Sequence, residues 1–349
     1  MFLLLLLLSW TSAACTVVPT PSVLKIGLVA PFEGRYRYVG YDAIYAARLA
    51  VREINAAGGV AGHKLALVAY DDRNDPALAR DVARNLSLDP DVIAVIGHYR
   101  QATTFAARPH YAEHDLPLLV VGAWLTSPHA SANQLAPPLT RLAEAMVAAV
   151  PPDALEGCGV IWGEDVLAAS LARTLPAPPC PPGTDPSFAL SSAPPHVAGA
   201  RLQTQRSAGW PGVLVGGPDL GAPDFVAVAG ADRVEGQRFL TPYPFPEDLP
   251  DTQAWRQAYE SMGPHVPEPW LYALPTYEAI YLLADALAAE SAAHPSPSRW
   301  GMARALREIS RQGKLGSIRL DAQGVWPEAP LYLYVWRDGA PHLADVVSP

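Results

Sequence analysis

Short apolar runs alternate along this chain with longer, Ala-rich amphipathic stretches, and that alternation restricts the fold more tightly than any single residue does. Apolar runs joined by helical crossovers belong to parallel sheets covered by helices on both faces, so the expected class is α/β. Leu24 to Ala30 reads as the first strand, Tyr41 to Ala57 as a helix closed by Gly58-Gly59, and Leu65 to Tyr70 as the second strand. Asp75-Pro76 opens another helix, with the aspartate as N-cap and the proline at the first helical position, where its missing N–H costs nothing. Strands at Val92 to Ile96 and Leu118 to Val121 follow, separated by a helix from Thr103 to His114. A second series then begins, with strands at Gly159 to Trp162, Val213 to Val215 and Arg238 to Thr241 and helices at Asp165 to Leu175 and Pro223 to Ala231. Long helices at Tyr272 to Glu290 and Arg299 to Gln312 precede two last strands, Ser317 to Leu320 and Leu331 to Trp336. No period of about 20 to 50 residues repeats, which excludes a solenoid.

Half of the 349 residues are hydrophobic and 17% are charged, enough apolar material for two domains with their own cores. The net charge of −9 comes without any block of like charges, so nucleic acid is not an expected partner. Residues 1–15 combine an apolar run with small residues before Cys15, the shape of a secretory signal and too short to span a bilayer. Ser12-Ala13-Ala14-Cys15 resembles a lipobox, with Ser12 where leucine is usual; Cys15 is then the lipidated residue and 16–23 a Pro-rich tether. An ordinary cleaved signal is the alternative, and either reading puts the protein outside the cytoplasm. There Cys158 and Cys180 can pair or stay as buried thiols, since spacing alone does not fix the separation of their Cα atoms.

The stretch Lys25-Ile26-Gly27-Leu28, Phe32-Glu33-Gly34, Gly40 and Arg52-Glu53-Ile54-Asn55-Ala56-Ala57-Gly58-Gly59 resembles the opening of the type I periplasmic binding proteins. The branched-chain amino-acid receptors are the most similar branch. Tyr70-Asp71-Asp72, Asp75-Pro76 and Val95-Ile96-Gly97-His98 continue the pattern in order and at matching spacings, and Val234-Glu235-Gly236 and Leu315-Gly316-Ser317 carry it on. The resemblance implies two Rossmann-like lobes joined by three crossovers: 24–122 with 247–325 as lobe 1, and 123–246 with 326–349 as lobe 2. It further implies a ligand held between the lobes by hinge closure, delivery to an ABC transporter permease, no cofactor, and no chemistry performed on the ligand. Between Leu175 and Phe188 the chain looks shorter than its relatives by about thirty residues, roughly one strand and helix, so the second lobe is expected to be trimmed.

In open α/β sheets ligands bind beyond the carboxyl ends of the strands, which directs attention to the loops after Ala30, Gly97, Val121, Trp162 and Val215. In the second of these, the resemblance makes Arg100, Gln101 and Thr103 candidates for holding a ligand carboxylate; a helix cap is the other reading of Thr103. Ala123 and Trp124 stand where amino-acid binders grip the ligand with backbone and a small hydroxyl residue. The indole at Trp124 puts an ordinary branched-chain amino acid in doubt and suits a planar ligand or plain core packing. Tyr38 is the candidate wall residue of the first loop, Trp162 faces it from the second lobe, and Asp219 is the candidate counter-ion for a ligand ammonium or a plain turn residue. An amino acid, an amide or a small carboxylate fits this set.

Two rival readings differ in role. A lipid-anchored receptor of the same fold could sense its ligand rather than deliver it. His110-Tyr111-Ala112-Glu113-His114 also fits H-x-x-E-H, in which two histidines bind zinc and the glutamate activates water, although His114 lies at a helix end in surroundings foreign to that motif.

Overall fold

The computed structural model describes residues 22–127, 129–176 and 180–348, so Cys15 and most of the Pro-rich tether lie outside the described residues. The first unit runs β1 (Ser22–Ala30), α1 (Arg37–Ala56), β2 (His63–Asp71), α2 (Pro76–Leu88), β3 (Val92–Gly97), α3 (Gln101–Ala112), β4 (Leu118–Val120) and β5 (Ala132–Gln134). Its five strands form one parallel sheet in the order β2-β1-β3-β4-β5. Asp75 caps α2 as expected, its Oδ1 accepting from the amides of Ala77 at 2.7 Å and Leu78 at 3.4 Å. All six residues of β3 are buried, because the sheet is covered on both faces: Val29, Val95 and Val120 meet α2 and α3, while Ile26, Leu28 and Ile96 meet α1 and a later helix.

The second unit comprises α4 (Leu139–Ala148), α5 (Pro152–Leu155), β6 (Gly159–Trp162), α6 (Val166–Thr174), β7 (Phe188–Ser191), α7 (Pro195–Ser207), β8 (Val213–Gly216), α8 (Pro223–Ala229), α9 (Ala231–Val234) and β9 (Arg238–Thr241). The chain then returns to the first unit as α10 (Gln253–Glu260), α11 (Ala273–Ala293), α12 (Arg299–Glu308) and the hairpin β10 (Ser310–Gly313) and β11 (Gly316–Arg319). It crosses again to finish the second sheet with β12 (Leu331–Arg337) and β13 (Ala340–Val347), in the order β13-β12-β9-β8-β7-β6. β6 to β9 are parallel, and β12 runs antiparallel to both of its neighbours.

Three expectations are corrected. The expected crossing at residue 123 comes later, because Ala132–Gln134 pairs with β4 and still belongs to the first sheet. The end of the helix expected to reach Gln312 is a strand instead, held where the Arg311 guanidinium meets Glu278 at 3.0 Å and Asp285 at 2.7 Å on α11. The second lobe lacks no strand and helix: β7 pairs with both β6 and β8, and α6 and α7 supply the crossovers, so any shortening is confined to the loop before Phe188. A disulfide ties Cys180 of that loop back to Cys158, just before β6, with Cα atoms 4.9 Å apart and a sequence separation of 22. Closing a loop of that length is worth about 3 kcal/mol in the chain-entropy account.

The three crossings are tied to one another. Tyr243 Oη accepts from Gly122 N at 3.2 Å and donates to Leu135 O at 2.8 Å, Gln134 N donates to Gly324 O at 2.6 Å, and Arg141 Nη1 reaches Pro327 O at 2.8 Å and Ala329 O at 2.9 Å. These links fix the ends from which the facing loops project.

Candidate ligand site between the two sheets

Parallel strands deliver their carboxyl ends to the same edge, and here the edges of two sheets face each other. A cavity of about 210 Å³ lies between them, lined by residues that directly follow those ends: Arg100, Gln101 and Gly122 from the first sheet, and Gly163, Ser192 and Gly217 from the second. Two of the glycines are required by space and backbone. Gly122 has φ +82 and a Cβ there would come within 2.8 Å of Tyr99 O, while Gly163 has φ +137 and a Cβ would run into Ser192 Oγ.

Arg100 and Asp219 meet across this cavity. Nη1 donates to Oδ1 at 2.5 Å and Nη2 to Oδ2 at 3.0 Å, a bidentate pair joining the two units with side chains only 14% and 23% exposed. The guanidinium also lies over the Tyr36 ring, 4.4 Å from its centroid. A second, more exposed link, Arg35 Nη1 to Asp224 Oδ2 at 3.2 Å, joins the same two units further out.

Gln101 uses its whole side-chain amide on Trp124: Nε2 donates to Trp124 O at 2.6 Å and Oε1 accepts from Trp124 N at 3.0 Å. The Trp124 side chain is buried, yet its Nε1 has no partner, and the same holds for the buried Ser192 Oγ across the cavity. Both belong to residues lining the cavity. No side chain caps the first turn of α3, which opens beside them, so its amides add partial positive charge to that wall. Apolar walls come from Leu139, Leu167 and the Tyr272 ring. Burial pushes the Tyr272 phenol above its usual range, leaving it neutral.

Of the residues selected from sequence, Arg100, Gln101, Trp124 and Asp219 converge here, and the other four do not line the cavity. Thr103 is fully buried and returns its hydroxyl to Arg100 O at 3.1 Å, the behaviour of a first-turn threonine. Ala123 is buried between two lining residues, and Trp162 packs on Trp210 with its ring under the Arg201 guanidinium. Tyr38 stands beside Tyr36, and it is Tyr36 that supports Arg100. Asp219 and Arg100 face each other rather than standing free for a ligand's two charges. Sequence reasoning missed Tyr272, which arrives from the distant start of α11, and Ser192, which directly follows β7.

The zinc motif does not assemble. His110 Nδ1 is 3.8 Å from Glu113, His114 Nδ1 is 3.1 Å from His110 O, and among the described residues no three His, Cys, Asp or Glu side chains gather as a metal would require.

The sequence profile described as "Periplasmic binding protein" matches residues 23–150 and 186–341. A Leu/Ile/Val-binding protein homolog of Brucella abortus is 34% identical over 98 residues, 28% of this chain; the match spans only 26% of that relative's length. The branched-chain amino acid transporter substrate-binding protein LivJ of Streptococcus pneumoniae, solved with isoleucine, superposes with a TM-score of 0.81 at 21% identity, covering 94% of this chain and 100% of its own. A solute-binding protein of an ABC transporter from R. palustris, solved with benzoate, gives 0.73 at 17% identity, covering 94% and 97%.

Proposed function

The chain belongs to the periplasmic binding protein family, a family of binding proteins and not of enzymes, and from that premise we propose that it captures a small polar solute between its two lobes and delivers it to an ABC transporter permease. The carrying observation is the cavity bounded by the carboxyl ends of parallel strands from both sheets and bridged by Arg100 and Asp219. A solute there touches both lobes at once, so binding favours the closed arrangement by as much as its affinity for that arrangement exceeds its affinity for the open one. The lobes are proposed as 22–134 with 250–320 and 139–241 with 331–347, hinged at the three crossings.

The family's periplasmic setting implies an extracytoplasmic location, and the paired Cys158 and Cys180 suit an oxidising compartment. Cys15 as a lipid anchor and a permease as partner belong to the same proposal. Amino acids, amides and small carboxylates are the candidate solutes; relatives named for leucine, isoleucine and valine and a neighbour solved with benzoate support that range.

A thermal-shift screen of the mature chain tests the reading. A ligand that binds only the folded state adds about 2.7 kcal/mol at a hundredfold excess over Kd, so micromolar binding raises Tm visibly. Trp124 lines the cavity and should change its fluorescence with the same ligand. A Tm rise with zinc alone, or with no organic solute, would remove the receptor reading.

A further inference from the structure

We propose that the solute is elongated, with its head in the cleft cavity and an apolar stem that runs along α6 to a terminal carboxylate received by Arg173; this rests on the solute-receptor reading. The space between the lobes does not end at Trp124. A groove of about 390 Å³ adjoins the cavity, and Leu139 and Val166 line both. Trp124 walls the cavity and its neighbour Leu125 walls the groove. Leu125, Leu139 and Val166 are only half-buried, so the passage from one space to the other offers apolar surface to a ligand.

One face of α6 forms the floor of the groove. Val166, Ala169, Ser170 and Arg173 fall at the i, i+3, i+4 and i+7 positions of that helix and span roughly 10 Å along its axis. Their order is graded, with aliphatic side chains at the cleft end, then the hydroxyl of Ser170, then a guanidinium in the last turn. Arg173 is exposed and, among the described residues, meets no carboxylate within salt-bridge distance. The facing wall comes from the first lobe and the third crossing. Its one acidic residue, Asp321, is drawn into its own turn, where Oδ1 accepts from the amides of Gln323 at 2.8 Å and Val325 at 3.0 Å. The far end of the groove therefore presents a cation to a ligand. A solute that reaches it touches both lobes and a crossing at once, whereas a leucine-sized solute held in the 210 Å³ cavity leaves the groove to water.

Thermal shift and calorimetry on the full mature chain compare two series of rising length that differ in the head: succinate, adipate, suberate and sebacate as simple diacids, and glutamate, α-aminoadipate and α-aminosuberate as amino acids. Each member is matched with the analogue that ends in a methyl group and the analogue that ends in a primary amide. In one series or both, affinity should rise about two- to threefold per added methylene until the groove is filled. The terminal carboxylate should bind about threefold tighter than the methyl or the amide. Arg173→Gln should erase that preference and Arg173→Glu reverse it. Ala169→Phe, which adds bulk on the exposed floor, should cost the long members at least about tenfold more than the short ones. Affinity that does not grow with length, a terminal methyl or amide that binds as well as the carboxylate, or Arg173 variants that match the parent would each overturn the proposal and leave the receptor reading standing. Absence of binding by every organic solute overturns both.

Discussion

Asp42 sits on α1, fully inside the protein, and its carboxyl accepts from the amides of Trp270, Tyr272 and Ala273 at 2.7, 2.8 and 2.9 Å. It thereby fixes the entry to α11 and, through it, the Tyr272 ring in the cleft. Burial pushes its pKa up from 3.8 to about 7, against the lowering effect of those three amides. A carboxyl raised in the folded state stabilises fully below its unfolded pKa near 4, and that contribution is lost as pH rises through about 7. At about 1.4 kcal/mol per tenfold change in proton affinity, the whole effect is a few kcal/mol. Asp42→Asn should therefore be less stable than the parent at pH 4.5, with a deficit that shrinks toward pH 7.5 in urea unfolding. A deficit that widens with pH would mean that the three amides keep the group ionised. Nothing in the sequence singles out Asp42, since its partners lie more than two hundred positions away.

At the scale of elements, the parallel strands other than β5 and β7 were legible as short apolar runs, and α2 because Asp75-Pro76 is a strong start signal. β5 carried no such signal: Ala132-Asn133-Gln134 is buried but polar, with Asn133 Oδ1 accepting from Arg307 at 2.9 Å and Gln134 Oε1 from Leu125 N at 2.6 Å, while Asn133 Nδ2 has no partner among the described residues. Those partners come from other parts of the chain, so β5 looked like loop and the first crossing was placed too early. For the site, Arg100, Gln101, Trp124 and Asp219 were legible because they follow strand ends directly, whereas their pairing with one another depends on how the two sheets face. The crossings themselves depend on Tyr243, whose hydroxyl both donates and accepts between elements of the hinge. Tyr243→Phe keeps the ring but leaves Leu135 O and Gly122 N without that partner, a loss of about 1–3 kcal/mol for buried groups. Chemical denaturation should show that loss with an unchanged m-value; stability equal to the parent would mean that the crossings are held by their other links, Gln134 to Gly324 and Arg141 to Pro327 and Ala329.

For the molecule as a whole, the balance between open and closed arrangements rests on what spans the two lobes, and two ion pairs do so with unequal effect. Arg35 and Asp224 are joined by a single contact, and the arginine is 51% exposed, so solvent screening leaves it little influence. Arg100 and Asp219 form a planar two-point contact, largely shielded, with an aromatic ring beneath the guanidinium. In the closed arrangement the loss of Asp219 strands a cation among apolar walls, whereas opening returns that cation to water. Asp219→Asn should therefore shift the ligand-free protein toward the open arrangement, seen as a larger radius of gyration in small-angle scattering. Asp224→Asn should leave the profile unchanged. Any ligand must then supply the free energy of closure itself, so affinity in Asp219→Asn falls by the fraction of closed molecules lost, about tenfold for each 1.4 kcal/mol. Added salt should move the parent the same way by a smaller amount, since a shielded pair is screened less than an exposed one. Identical scattering from the parent and Asp219→Asn would mean that the Arg100–Asp219 pair follows closure without driving it, and that other contacts between the lobes hold the cleft shut.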